Sequence, residues 1–163
     1  MGIADKIGAA TGGRNAVYFT WLDEGEDKNP GIYPKVWIEA CKEGKNRAGV
    51  DNVILEGHIL ESKVPARPAG TAASIVTSMR FDGSADDVKQ YLADIAGIPV
   101  GDVDGPMAGA LLGEENPLCG TLVSIEASHK YTKAGKDWTN FLIRRLPDDV
   151  QANAEAMHAA AGF

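Results

Sequence analysis

From Ile32 to Lys42 the chain alternates with a period of two. Ile32, Val36, Ile38 and Ala40 fall on one side, Tyr33, Lys35, Trp37 and Glu39 on the other. Successive side chains of an extended chain point to opposite faces, so this pattern predicts a strand with one apolar face and one aromatic, charged face. A polar turn with Gly44 and Gly49 follows, then the aliphatic run Val53 to Glu61, and the two runs read as a long hairpin. Pro65 and Pro68 keep residues 62–70 out of a sheet, because proline has no N–H to give to a ladder. Ser74 to Phe81 alternates again, with Ile75, Thr77, Met79 and Phe81 on one face.

A change of period follows. Val88, Tyr91, Leu92 and Ile95 repeat at i, i+3, i+4 and i+7, which predicts a helix with one apolar stripe. Ser84 is placed to cap it, Asp86 and Asp87 favour its N-terminal dipole, and Gly97 ends it. Residues 98–117 read as a long glycine-containing insertion with a helical turn at Met107 to Leu112; long loops inside compact domains are often functional. Leu118 to Tyr131 and Trp138 to Leu146 form a final hairpin, and Pro147, Asp148 and Asp149 open an Ala-rich helix. Val17 to Leu22 is a short strand candidate, preceded by a flexible arm at 1–16.

The order strand, strand, strand, helix, strand, strand predicts a mainly β fold. It is the pattern of a five-stranded OB-fold barrel with a helix between strands 3 and 4 and, here, a C-terminal helix. Residues 17–146 would form the barrel and 147–163 a helical tail. Length suits this single domain: 163 residues, 44% hydrophobic and 24% charged, supply a core that needs no staple.

Net charge is −7, which disfavours binding by bulk counterion release, yet the charge is segregated. Acids gather at Asp23 to Asp27, Asp82 to Asp87 and Asp102 to Glu115, whereas two turns are basic and aromatic. The first carries Tyr33, Lys35, Trp37, Lys42, Lys45 and Arg47; the second carries Lys130, Tyr131, Lys133, Lys136 and Trp138. In an OB barrel the corresponding two loops flank one binding cleft, so the two tips are expected side by side at its mouth. Lysine and arginine there neutralise phosphates, and the aromatics stack on unpaired bases, which selects single strands over duplex without reading sequence. Strand aromatics also serve as core packing, and Tyr131 shares the parity of Val123, Ile125 and Ala127.

Other chemistries find little footing. The chain has no G-x-S-x-G, H-E-x-x-H or phosphate-loop motif, so no catalytic site is expected and the protein is read as a non-enzyme without cofactor. His58, His129 and His158 lie far apart in sequence, which disfavours zinc, and Cys41 and Cys119 read as reduced thiols. Ile3 and Ile7 are interrupted by Asp5 and Lys6, so neither signal peptide nor membrane span is expected, and the expected location is the cytoplasm.

Read in order, Gly31-Ile32-Tyr33, Lys45-Asn46-Arg47-Ala48-Gly49, Val53 to Ser62, Gly120-Thr121-Leu122-Val123 and Lys136-Asp137-Trp138-Thr139-Asn140-Phe141 resemble phage-encoded OB-fold single-stranded DNA-binding proteins. The resemblance spans roughly residues 30–146. It implies coating and protection of single-stranded DNA in the host cytoplasm during phage replication or recombination, alongside phage replication or recombination proteins. Bacterial relatives often end in an acidic tail with Pro-Phe; here Phe163 follows Ala159 to Gly162, and the Ala-rich segment reads instead as a packing helix. Edge strands and Leu111–Leu112 are able to support a homodimer. The rival reading is a phage structural or assembly protein that uses a β-barrel for protein contacts.

Overall fold

The computed structural model describes residues 21–22, 30–81, 83–131 and 137–163. It holds one five-stranded antiparallel sheet: β1 (Gly31–Lys45), β2 (Asp51–Glu61), β3 (Ala72–Ser78), β4 (Leu122–Tyr131) and β5 (Asp137–Arg145). Among the described residues four α-helices accompany it: α1 (Ser84–Ala96), α2 (Gly105–Leu111), α3 (Asp148–Gln151) and α4 (Ala154–Ala160). The proposed arm at 1–16 and most of the Val17 to Leu22 strand candidate lie outside the described residues; Trp21 and Leu22 are buried and not in a strand.

The strands lie in the order β3-β2-β1-β4-β5. Fifteen-residue β1 is long enough to serve two neighbours: its length from Lys35 onward pairs with β2, and Gly31 to Trp37 pairs with β4. This mainly β, five-stranded architecture with α1 between β3 and β4 agrees with the sequence reading. Barrel closure does not. Among the described residues no ladder joins β3 to β5, which remain the two edges of the sheet. Side chains and α1 span the seam instead of backbone hydrogen bonds. Trp21 donates its indole N–H to the Ser74 carbonyl on β3 at 2.8 Å, and its ring meets Phe141 of β5 edge-on at 5.7 Å. Helix α1 packs against both edge strands, and Arg145 of β5 donates to the Ile95 carbonyl at 2.9 Å.

The core lies between the inner face of the sheet and α1. Val36, Ile38, Leu55, Ile75, Ile125 and Ile143 supply the sheet side; Val88, Leu92 and Ile95 supply the helix stripe that the 3.6-residue period predicts. Burying aliphatic side chains of this size contributes about 1.5–3 kcal/mol each. The segment after α1 adds Val103, Leu111 and Leu118 to the same core. Asp104 starts α2 by accepting from the Met107 N–H at 2.9 Å, and α2 includes most of the helical turn read from the sequence.

Three local expectations fail for physical reasons. Register shifts at Lys35/Val36, Ile38/Ala40 and Tyr33/Val36 break the alternation of β1. A bulge adds a residue and turns the chain over, so Tyr33 faces the core and Ile32 is exposed, the reverse of their assigned sides. Ser84 does not cap α1: Gly83, at φ 86°, holds the cap position, and Ser84 turns inward to donate to the Ser78 carbonyl at 2.7 Å. Phe81 is exposed, because β3 ends at Ser78 before the alternation can carry it to the inner face.

The opposite face of the sheet receives α3 and α4. Gln151 of α3 acts as a backbone surrogate for Leu122 at the start of β4. Its Oε1 accepts from the Leu122 N–H at 2.8 Å, and its Nε2 donates to the carbonyls of Leu122 at 2.6 Å and Leu146 at 3.0 Å. Leu122 is thereby buried on the outer face, apart from the main core.

Candidate nucleic-acid interface

The β1–β2 hairpin presents its basic tip in a defined conformation. Asn46 Oδ1 accepts from the N–H groups of Ala48 at 2.9 Å and Val50 at 3.0 Å, and Gly49 takes the left-handed φ of 78° that closes the turn. Arg47 is exposed at this tip. Its neighbours are matched locally: Lys45 pairs with Asp51 at 2.5 Å and Lys42 with Glu56 at 3.0 Å. Both pairs are solvent-exposed, so exchanging the carboxylate for a phosphate costs little, about 0–1 kcal/mol per pair. Lys35 lies half-buried at the first register shift, opposite Glu61.

Two aromatic assignments on β1 come out differently. Tyr33 is fully buried and donates its hydroxyl to the Trp21 carbonyl at 2.6 Å, so it cannot stack on a base and is removed from the site. Trp37 sits on the outer face directly across the ladder from His58. Its ring is stacked on His158 of α4, with centroids 3.7 Å apart and planes 14° apart. His58 lies in nearly the same plane as His158, and its Nδ1 is 2.8 Å from His158 Nε2. Phe163 stacks on His58, at 3.9 Å and 5°. Glu39 reaches His58 Nε2 at 3.2 Å.

The second basic hairpin can be placed only by its backbone. Lys130 pairs with Trp138 and Tyr131 with Asp137 in the β4–β5 ladder, while Lys133 and Lys136 lie outside the described residues. Because β4 runs antiparallel to β1 and pairs Ala127 with Gly31, it leaves the sheet beyond the start of β1. The β1–β2 tip leaves beyond Lys45, at the other end. The ladders thus carry the first tip and the described start of the second hairpin toward opposite ends of β1, on the order of 45 Å apart along the strand path, while the second tip itself, residues 132–136, lies outside the described residues. Lys42 and Trp37 lie between those ends.

One pair near the first tip was not read from the sequence. Phe81 is 64% exposed with the Arg80 guanidinium 5.6 Å from its ring centre, and the Met79 N–H bonds the Asp51 carbonyl at 2.9 Å, which puts the pair beside the β1–β2 turn. Alternation had grouped Phe81 with core residues, and no other signal distinguished it. A cleft of about 460 Å³ between this hairpin, α1 and α2 is lined by Val53, Met79 and Leu92, with Glu43, Asp51 and Asp104 against a single Lys89. Its negative balance makes it a poor seat for phosphate.

Among the described residues no group of three or more His, Cys, Asp or Glu is placed to hold a metal, and no helix is long and apolar enough to cross a membrane. Compared with models of known protein families and with curated protein sequences, the chain matches none.

Proposed function

We propose that this protein binds and protects single-stranded DNA, without catalysis and with little sequence preference, in phage replication or recombination. The strand would run along the outer face from the β1–β2 tip toward the β4–β5 hairpin. The observation that carries this reading is the ordered hairpin tip: Arg47 is held exposed by the Asn46 turn and is continuous along β1 with Lys42 and Trp37. The sheet order with α1 between β3 and β4 supports it, since this is the neighbour order of an OB barrel opened along β3 and β5. Lys130, Tyr131, Lys133, Lys136 and Trp138 belong to the proposal as the far end of the track.

Fluorescence anisotropy with labelled oligo-dT at low salt tests it. Binding that weakens with salt, prefers single strands to duplex and falls on Arg47→Ala is expected. Absence of binding at low salt refutes it, and parallel gel shifts with RNA decide between the two nucleic acids.

A second reading rests on a separate observation. Ile32 (39% exposed) and Leu142 (42% exposed) flank Glu126 across the outer face of β1, β4 and β5. Exposed apolar side chains beside an acid suit a protein partner, as in an assembly subunit. Light scattering of nucleic-acid-free protein would then show large particles instead of a small species.

A further inference from the structure

His158 sits as a nucleobase would. One face lies on the indole of Trp37 at 3.7 Å, and one edge is hydrogen-bonded by His58 in a shared plane. Glu39 fixes the direction of that bond. In the neutral His58 ring, a carboxylate accepting from Nε2–H leaves Nδ1 as the acceptor and makes His158 Nε2–H the donor. A stacking face plus a single acceptor on the edge is a site any base can fill, because each of the four bases carries at least one N–H.

We infer that the Trp37–His58 surface is a base-stacking site, and that α4 with His158 and Phe163 is a displaceable cover occupying it. This rests on the strand-binding reading above and adds how that site is controlled.

Three further features agree with a cover that can lift. The Trp37 indole N–H is buried with no hydrogen-bond partner, so the covered state leaves a strong donor idle that a base or phosphate oxygen can take up. Helix α4 has only seven residues, lacks a side-chain N-cap and buries only Ala154, so little besides the ring stack holds it. Helix α3, in contrast, is pinned by three Gln151 hydrogen bonds, two to Leu122 of β4 and one to the Leu146 carbonyl just after β5, so α4 can swing from Ala152–Asn153 while the sheet stays intact. The cover also lies between the two basic ends of β1, where it interrupts any continuous track for a strand.

The test uses the full chain and oligo-dT. His158→Ala combined with Phe163→Ala should bind about tenfold more tightly than wild type, the size expected for uncovering one stacking site. Adding Trp37→Ala to that variant should cancel the gain. In wild-type protein, hydrogen exchange of amides 154–163 should accelerate on saturation with oligo-dT while that of Leu122 and Val123 stays slow. Unchanged or weaker binding by the double variant, with Arg47-dependent binding retained, overturns the cover and leaves the strand-binding reading standing. Unchanged or increased protection of 154–163 in the complex does the same. Failure of both wild type and double variant to bind overturns the two together.

Discussion

The Tyr33 hydroxyl donates to the Trp21 carbonyl at 2.6 Å, and the two rings meet edge to face at 5.1 Å. Through Trp21 this contact ties β1 to both edges of the sheet, since the same indole reaches Ser74 and Phe141. Tyr33→Phe keeps the ring contact and leaves a carbonyl acceptor short of its donor. It should destabilise the protein by about 1–3 kcal/mol in urea unfolding. Oligo-dT affinity of the folded variant should not change, which separates a core tyrosine from a stacking one.

Gly31 stands under the same tryptophan. A Cβ on Gly31 would lie 1.7 Å from the Trp21 carbonyl oxygen, and a backbone atom cannot rotate aside. Gly31→Ala should therefore force the Trp21 segment away from β1 and lower the melting temperature by more than Tyr33→Phe does, as thermal unfolding followed by circular dichroism will show.

The two thiols should behave oppositely. Burial pushes the Cys41 thiol up to about 12, whereas Cys119 is exposed. Thiolate is the reactive form, so at pH 8 an aromatic disulfide reagent should label one thiol of the native protein quickly and the second only on denaturation. Rapid labelling of both in native protein would contradict the inward placement of Cys41.

The elements were legible in the sequence because each is written in a local period. The strand and helix periods located β1 to β5 and α1 within a few residues. Parity failed at the β1 bulges, since one extra residue inverts the side assignment; Pro34, between Tyr33 and Val36, has no N–H to give to the ladder and was the local signal of that bulge. Barrel closure failed because strand order does not say whether two edges bond. The pairing of Trp37 with His58 and His158 was also hidden. His58 and His158 are 100 residues apart, and only the tertiary fold of α4 onto β2 brings them together. Histidines far apart in sequence had counted only against a metal site.

Charge pairing ranks the basic residues of the β1–β2 tip. Arg47 is exposed at its apex, whereas Lys45 shares its charge with Asp51. Arg47→Ala should weaken oligo-dT binding and lower the slope of log affinity against log salt by about 0.7, the value for one single-strand phosphate contact. Lys45→Ala should do less. Asp51→Asn should strengthen binding slightly by freeing Lys45, and a salt titration of all three variants checks the ranking.

Acid should loosen the cover. His158 itself is held below its ordinary value of about 6.5 when docked, first by partial burial and then by His58, while Glu39 pulls the other way. Glu39 and His58 are the titratable groups against it from β1 and β2; Lys42 and Glu56 on the same strands engage each other. A lowered docked value means the undocked ring binds protons more tightly, so the docking contribution is complete above about pH 6.5 and is lost as pH falls below it. Protection of amides 154–163 in DNA-free protein, corrected for intrinsic exchange, should therefore drop between pH 7.5 and pH 5.5. His158→Phe keeps a ring on Trp37 but carries no proton to titrate and makes no bond to His58. Its protection should be lower than wild type at pH 7.5 and flatter with pH, and a wild-type profile without any fall would rule out this control of the site.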